Sequence, residues 1–214
     1  MDIIVLVSLA ISVVATALAC FARNTRQTVR FLSVQAATIG FIELVYCLIN
    51  LLVGLHFEAL VDFSATFAEW FSCAIVIPLI IYWGMIKTEN MTDKPVISIR
   101  KATILVVAIT VLYVILWIWP LFSLPVKLDV LPFSMLMFSL SIFLMATRRD
   151  PLKILVGLNM ADNAFYPLLA ESPISLVPVM LALMIFVNIV GIFVIVEAYR
   201  EYGTLSITEW RRPT

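Results

Sequence analysis

The sequence predicts an all-α bundle of about seven helices that crosses a lipid bilayer repeatedly. Three observations predict it. The 214-residue chain is 63% hydrophobic with a mean hydropathy of +1.10, far above the ~45–50% apolar usage of soluble domains. Seven apolar runs, 2–22, 31–53, 64–86, 102–122, 131–147, 152–170 and 176–199, meet or approach the about 20 residues that a helix needs to span hydrocarbon. Of the 14 Lys and Arg residues, all but Lys127 follow an odd-numbered run. Basic residues mark cytoplasmic loops, so the N-terminus is expected outside and the C-terminus in the cytoplasm. A six-span arrangement would break that asymmetry.

The first run opens on Met1-Asp2 without a basic residue, and its apolar core is long for a secretory signal. It is expected to be a retained helix. Arg23, Arg26 and Arg30 follow it. The second run carries Gln35, Glu43, Tyr46 and Asn50 within one quadrant of a helix. Ala36, Ala37 and Gly40 add a small-residue face suited to close helix approach. Glu43 falls near mid-span, where an acid either serves function or hydrogen-bonds a neighbouring helix.

The third run sets Glu69, Ser72 and Cys73 on one face of its outer half, with Glu69 about a turn inside the membrane edge, free to snorkel or meet water. Pro78 follows and predicts a kink, because it removes a backbone hydrogen bond. The mixed-charge linker 87–101 reads as a solvated connector. The fourth run ends in WIWP (Trp117 to Pro120), an expected interfacial aromatic belt, and Tyr113 is its one ionisable group. The fifth is the shortest and starts at Pro132.

The sixth run, RRDPLKILVGLNMADNAFYPLLA from Arg148 to Ala170, carries the features most suited to function. Asn159, Asp162, Asn163 and Tyr166 are spaced i, i+3, i+4, i+7 and form one polar stripe on a helix. An acid at the position of Asp162 is costly in hydrocarbon and is expected to face a protein interior or a water-filled cavity. The seventh run holds Asn188 and Gly191, with Glu197 on the opposite face from Asn188, and Gly203 is the expected stop of the helix.

The same residues exclude several functions. Zero net charge leaves no nucleic-acid footprint. Cys20, Cys47 and Cys73 lie inside apolar runs, and His56 is the only histidine. Neither a disulfide framework nor a metal-ligand set is expected. No GxSxG or Walker sequence occurs, and no run has a central lysine. No catalytic site and no cofactor are expected in this chain.

Gly157 to Ala170 (GLNMADNAFYPLLA) resembles the second helix of the complex I subunit family NuoK and its antiporter relative MrpC. Val187 to Glu209 (VNIVGIFVIVEAYREYGTLSITE) resembles their third helix and tail, especially in the AYR and YGTL elements. The chain is about twice their length and is similar to the hydrogenase-4 component E family (HyfE), in which counterparts of Ile77-Pro78-Leu79-Ile80 and Ala161-Asp162-Asn163 occur. The last third of the chain carries most of the likeness, through the joint order of helix, tail and length.

The resemblance implies a three-helix unit with a cytoplasmic linker over 1–101, a connecting helix and outer loop over 102–130, and a NuoK/MrpC-like unit over 131–214. It implies a non-catalytic, multi-pass subunit of a complex I-like membrane-bound hydrogenase of formate hydrogenlyase type, in a prokaryotic cytoplasmic membrane. Iron–sulfur clusters and nickel–iron would sit in partner subunits only. Two departures matter. The family's glutamates would fall at Asn159 and near Val187 or Asn188, none of which ionises. Asp162 and Glu43 are the acids that could substitute on a proton or sodium path, with Gln35, Asn159, Asn163, Tyr166 and Glu69 as further candidates. Gln35 and Asn159 are possible counterparts in a weak internal duplication. The rival readings are a stand-alone small transporter and a purely architectural subunit of an Mrp-type antiporter complex.

Overall fold

The computed structural model describes residues 3–89, 95–118, 130–169 and 176–208. All regular structure among them is helical: α1 (Ile3–Phe21), α2 (Thr25–Val53), α3 (His56–Glu69), a π-helical segment (Trp70–Val76), α4 (Ile77–Lys87), α5 (Ile99–Ile118), α6 (Leu131–Ala146), α7 (Pro151–Leu169) and α8 (Leu176–Tyr202). Four helical rods among these residues are long and apolar enough to cross a membrane: Ile3–Phe21, Thr25–Val53, the 32-residue His56–Lys87 and Leu181–Tyr202. Helix α6 is apolar but shorter. Lys94, Lys127, Arg211, Arg212 and the side chains of the WIWP belt lie outside the described residues.

Two helices start earlier than their apolar runs. The Asn24 side chain accepts the Arg26 N–H at 2.8 Å and caps α2, so the helix absorbs the polar turn Thr25–Arg30. At its other end Gly54 adopts a left-handed φ of 85°, and α3 begins two residues later, at His56. Glu69 therefore lies about 20 Å along this rod by the helical rise, rather than a turn inside its end.

A π segment lies just before Pro78, where the sequence led to the expectation of a kink. There the ladder shifts to i→i+5, as in the Ile77 N–H bond to the Ser72 carbonyl. A widened turn of this kind absorbs a missing donor without breaking the rod, and such turns are frequent at functional sites.

Helix α2 packs against α1, α3 and α7, while α6 packs against α1, α5 and α7, and α4 against α8. One continuous apolar core joins α1, α2, α4, α6, α7 and α8, among its residues Leu9, Leu32, Ile39, Ile77, Leu140, Val156 and Ile192. On α1, Ser12 and Thr16 return their hydroxyls to carbonyls one turn back, which leaves small, low-cost polar contacts for α2. Ser12 Oγ meets Thr38 Oγ1 at 2.6 Å.

The connector between α1 and α2 meets the first turn of α7, through Lys153 Nζ bound to the Arg23 carbonyl at 2.8 Å. Val96 N–H bonds the Thr147 carbonyl, and Ile207 N–H the Arg149 carbonyl. The arginine- and lysine-bearing connectors thus gather at one end of the bundle. Gly203 ends α8 with φ 67° and its N–H on the Tyr199 carbonyl.

Candidate functional site

A seam of buried polar side chains runs between α2, the α3–π rod and α7. Its lower part, nearer the basic end, is built on Gln35, which is fully buried. Its amide nitrogen donates to Thr16 Oγ1 at 2.9 Å and to the Met160 carbonyl at 3.2 Å, while its Oε1 has no protein partner. This ties α2 to α1 and α7. Beside it, Asn159 of α7 and Asn188 of α8 are buried and exchange amide hydrogen bonds of 2.8 and 2.7 Å.

The upper part gathers the acids. Tyr166 donates its hydroxyl to the Ala65 carbonyl at 2.8 Å. Glu69 follows Ala65 by one turn of α3 and Asn163 precedes Tyr166 by one turn of α7, so both lie toward the basic end from that bond. Glu69 is completely buried, and neither carboxyl oxygen has a hydrogen-bond partner of ordinary geometry. Cys73, one turn on, lies against it. Asn163 is also buried, with both amide atoms unpartnered. Glu43 of α2 is buried, and with Glu69 and Cys73 lies within electrostatic range of the Tyr166 hydroxyl.

Such a cluster is unusual in an apolar core, where nearly all buried polar atoms are paired. A carboxyl held in that setting can bind a proton or a cation and release it to an adjacent hydroxyl, amide or water. Compared with known proteins, the chain matches no family model, no curated protein and no solved structure.

The polar stripe of α7 is divided among different surroundings. Asn159 goes to α8, Tyr166 to α3, and Asn163 into the seam. Asp162, expected in the interior, is exposed on the bundle surface. Four residues sharing one face span a wide arc at 100° per residue, and Asp162 sits at the edge that the described helices leave exposed, though still within electrostatic range of the buried Cys73. Glu69, expected to snorkel or meet water, is instead fully buried between its neighbours. On α2, Gln35 and Glu43 point inward, Tyr46 is exposed, and Asn50 donates to Asp62 Oδ2 at 2.8 Å near the turn into α3.

The small-residue face of α2 is already occupied in this chain. Trp70, at the start of the π segment, lies against Gly40 and donates its indole N–H to the Ala37 carbonyl at 3.0 Å. Sequence reasoning also missed a polar junction at the basic end. Lys153 is completely buried, with its ammonium on the carbonyls of Arg23 and Ala22, while Arg148 donates to the carbonyl of Cys20. These are carbonyls at and just past the end of α1, left unpaired by helix geometry and carrying its partial negative charge. Thr25 donates to Asp150 Oδ2 at 2.7 Å, and Asp150 Oδ1 accepts the Leu152 N–H at the start of α7. The Asp-Pro pair at 150–151 and the adjacent Lys153 were the available signal.

Proposed function

We propose that this chain is a non-catalytic, seven-span subunit of a complex I-like, membrane-bound hydrogenase, and that it contributes to the movement of protons or sodium ions. Its N-terminus lies outside and its C-terminus in the cytoplasm of a prokaryotic cell. The observation that carries the reading is the pair of buried carboxyls, Glu43 and Glu69, beside Tyr166. Acids inside a membrane bundle are costly and mark ion or proton paths. The orphaned amide atoms of Gln35 and Asn163 extend a polar line from these acids toward the basic end, and water can bridge such atoms. The resemblance of Gly157–Ala170 and Val187–Glu209 to NuoK and MrpC supplies the class of complex.

The ionisable part of the path is Glu43 and Glu69. Asn159, where one of the family's acids would fall, and Asn188, which with Val187 is where the other would, are uncharged and exchange hydrogen bonds. The chain brings no central lysine to couple charge to movement, so partner subunits supply that, together with the iron–sulfur and nickel–iron centres. The architectural reading draws on the closed Asn159–Asn188 pair, which serves packing alone.

The test is purification of the tagged chain from its native membranes, with Glu69→Gln in parallel. The expected result is co-purification with other membrane subunits and an iron–sulfur, nickel-containing arm. The variant is expected to retain artificial-acceptor activity in that arm and to lose ion-coupled turnover. A monodisperse single chain that binds a small solute would replace this reading with the transporter one. Full coupled turnover in the variant would leave the architectural one.

A further inference from the structure

We infer that the cleft between the first turns of α2 and the π–α4 segment is a binding site for one anionic phospholipid. The inference rests on the membrane reading above and is independent of the hydrogenase reading. The cleft, of about 340 Å³, opens on the side of the bundle at its basic end. Its rim is polar: Arg26 and Arg30, one turn apart on α2, with Ser33 and Tyr82. Its floor is apolar, built by Ala74, Ile75, Pro78 and Leu79.

Both arginines count toward the basic asymmetry of the chain, but topology alone does not require two of them on one cleft. Cations in the first turns of a helix oppose its dipole, and the free N–H groups of that end favour an anion. Both side chains are exposed, and among the described residues neither has a carboxylate partner. Arg26 lies over the Tyr82 ring, 5.9 Å from its centroid, which holds the guanidinium across the mouth of the cleft. Two forked donors beside a hydroxyl suit a phosphate.

The floor selects a lipid over a soluble phosphate. Ile75 and Leu79 are 52% and 62% exposed, on the outward side of the rod just below the arginines. An acyl chain lying there would cover them. A soluble anion would leave them in contact with solvent. The depth agrees. Trp83 is half-exposed and Lys87 lies over its ring at 5.9 Å, an aromatic and basic pairing of the kind found at headgroup level. Basic pockets between helices at the cytoplasmic side bind anionic headgroups.

The test uses the full chain, in the assembly in which it purifies, extracted in mild detergent and depleted of lipid. Phosphatidylglycerol and phosphatidylcholine of identical acyl chains are added, and retained lipid is read by native mass spectrometry. Wild type is expected to retain phosphatidylglycerol in preference. Arg26→Gln and Arg30→Gln should each lower its retention about fivefold, the effect of one basic residue at an anionic headgroup. Ala74→Phe, which narrows the floor and keeps both arginines, should also lower it, and Arg200→Gln should not. Equal retention of the two lipids, an unchanged Arg26→Gln/Arg30→Gln variant, or displacement of the lipid by millimolar inorganic phosphate would overturn the proposal. Recovery of the chain in the soluble fraction after carbonate washing would instead remove the membrane reading itself.

Discussion

The side-chain amides of Asn159 and Asn188 exchange two hydrogen bonds and join α7 to α8. Each amide nitrogen spends its other hydrogen on its own helix, at the Leu155 and Met184 carbonyls. Every donor of the pair is therefore used. Replacing Asn188 with Leu strands the Asn159 amide, and the expected cost is about 1–2 kcal/mol. The Asn159→Leu/Asn188→Leu variant should cost less than the two singles together, because no orphaned group remains. Unfolding in detergent, followed by circular dichroism, measures all three. Strictly additive costs would show that the amides do not depend on each other.

For the acids, Glu69→Gln and Tyr166→Phe separate ionisation from size. Gln fills the site of Glu69 but cannot carry a proton as a carboxyl does. Loss of a proton-transfer group costs on the order of a hundredfold or more, so ion-coupled turnover of the assembled complex should fall steeply in Glu69→Gln. Glu43→Gln should act in the same direction. The two together should lose less than the product of their defects, since members of one path are not independent. Tyr166→Phe should act more weakly, because the hydroxyl already donates to the Ala65 carbonyl. A multiplicative double variant would place the acids on separate paths.

The contact between Gly40 and Trp70 gives a steric prediction. A Cβ added at Gly40 would lie 2.5 Å from the indole Cδ1 and Nε1 atoms. Gly40→Ala gains up to about 1 kcal/mol in helix propensity, but overpacking costs about 1–3 kcal/mol and the Trp70 bond to the Ala37 carbonyl is displaced as well. Net destabilisation is expected, with altered tryptophan fluorescence. Pairing it with Trp70→Phe should restore part of the stability. Unchanged melting and fluorescence in Gly40→Ala would remove the contact.

Apolar run length made the helices legible, and Gly203 made the end of α8 legible by its conformational freedom. The early starts of α2 and α3 were hidden because their first turns, Thr25–Arg30 and His56–Phe63, are polar or mixed. The later expected start alone put Glu69 near the end of its helix, whereas α3 runs 14 residues from His56 to reach it. Periodicity put Gln35, Glu43, Tyr46 and Asn50 in one quadrant, of which Gln35 and Glu43 are buried and Tyr46 is exposed. It could not tell which edge of the α7 stripe a neighbour covers, and Asp162 fell on the open one. The burial of Lys153 was illegible for a different reason. A lysine beside a proline turn reads as a loop charge, and only the fold brings it to the carbonyls that end α1.

At that junction, Lys153→Met is expected to destabilise the chain by about 1–3 kcal/mol, the cost of buried acceptors left without a donor. Lys101→Met, at an exposed position of α5, should stay within about 0.5 kcal/mol of wild type. The two lysines contribute equally to the count of basic residues, so the comparison separates structure from topology. Thermal unfolding in detergent reads the difference. Equal effects would mean that Lys153 acts only through its charge.

Asp162 gives the last prediction, and its position changes the expected sign. On an interior path, Asp162→Asn would leave assembly intact and slow ion-coupled turnover. The carboxylate instead lies on the outer surface of α7, one turn after Leu158, which is also exposed. Facing lipid, an aspartate near mid-helix costs about 2.5–3.5 kcal/mol. That cost is offset if a partner subunit of the proposed complex supplies a donor or a cation. Asp162→Leu should then make the isolated chain more resistant to unfolding and reduce its recovery with partner subunits. Asp162→Asn, which keeps an acceptor but loses the charge, should fall between wild type and Asp162→Leu in recovery. Blue native electrophoresis of membranes, beside unfolding of the isolated chain, reads the two effects separately. Normal assembly of Asp162→Leu would show that no partner meets this face. Slow coupled turnover in a fully assembled Asp162→Asn would return Asp162 to the ion path.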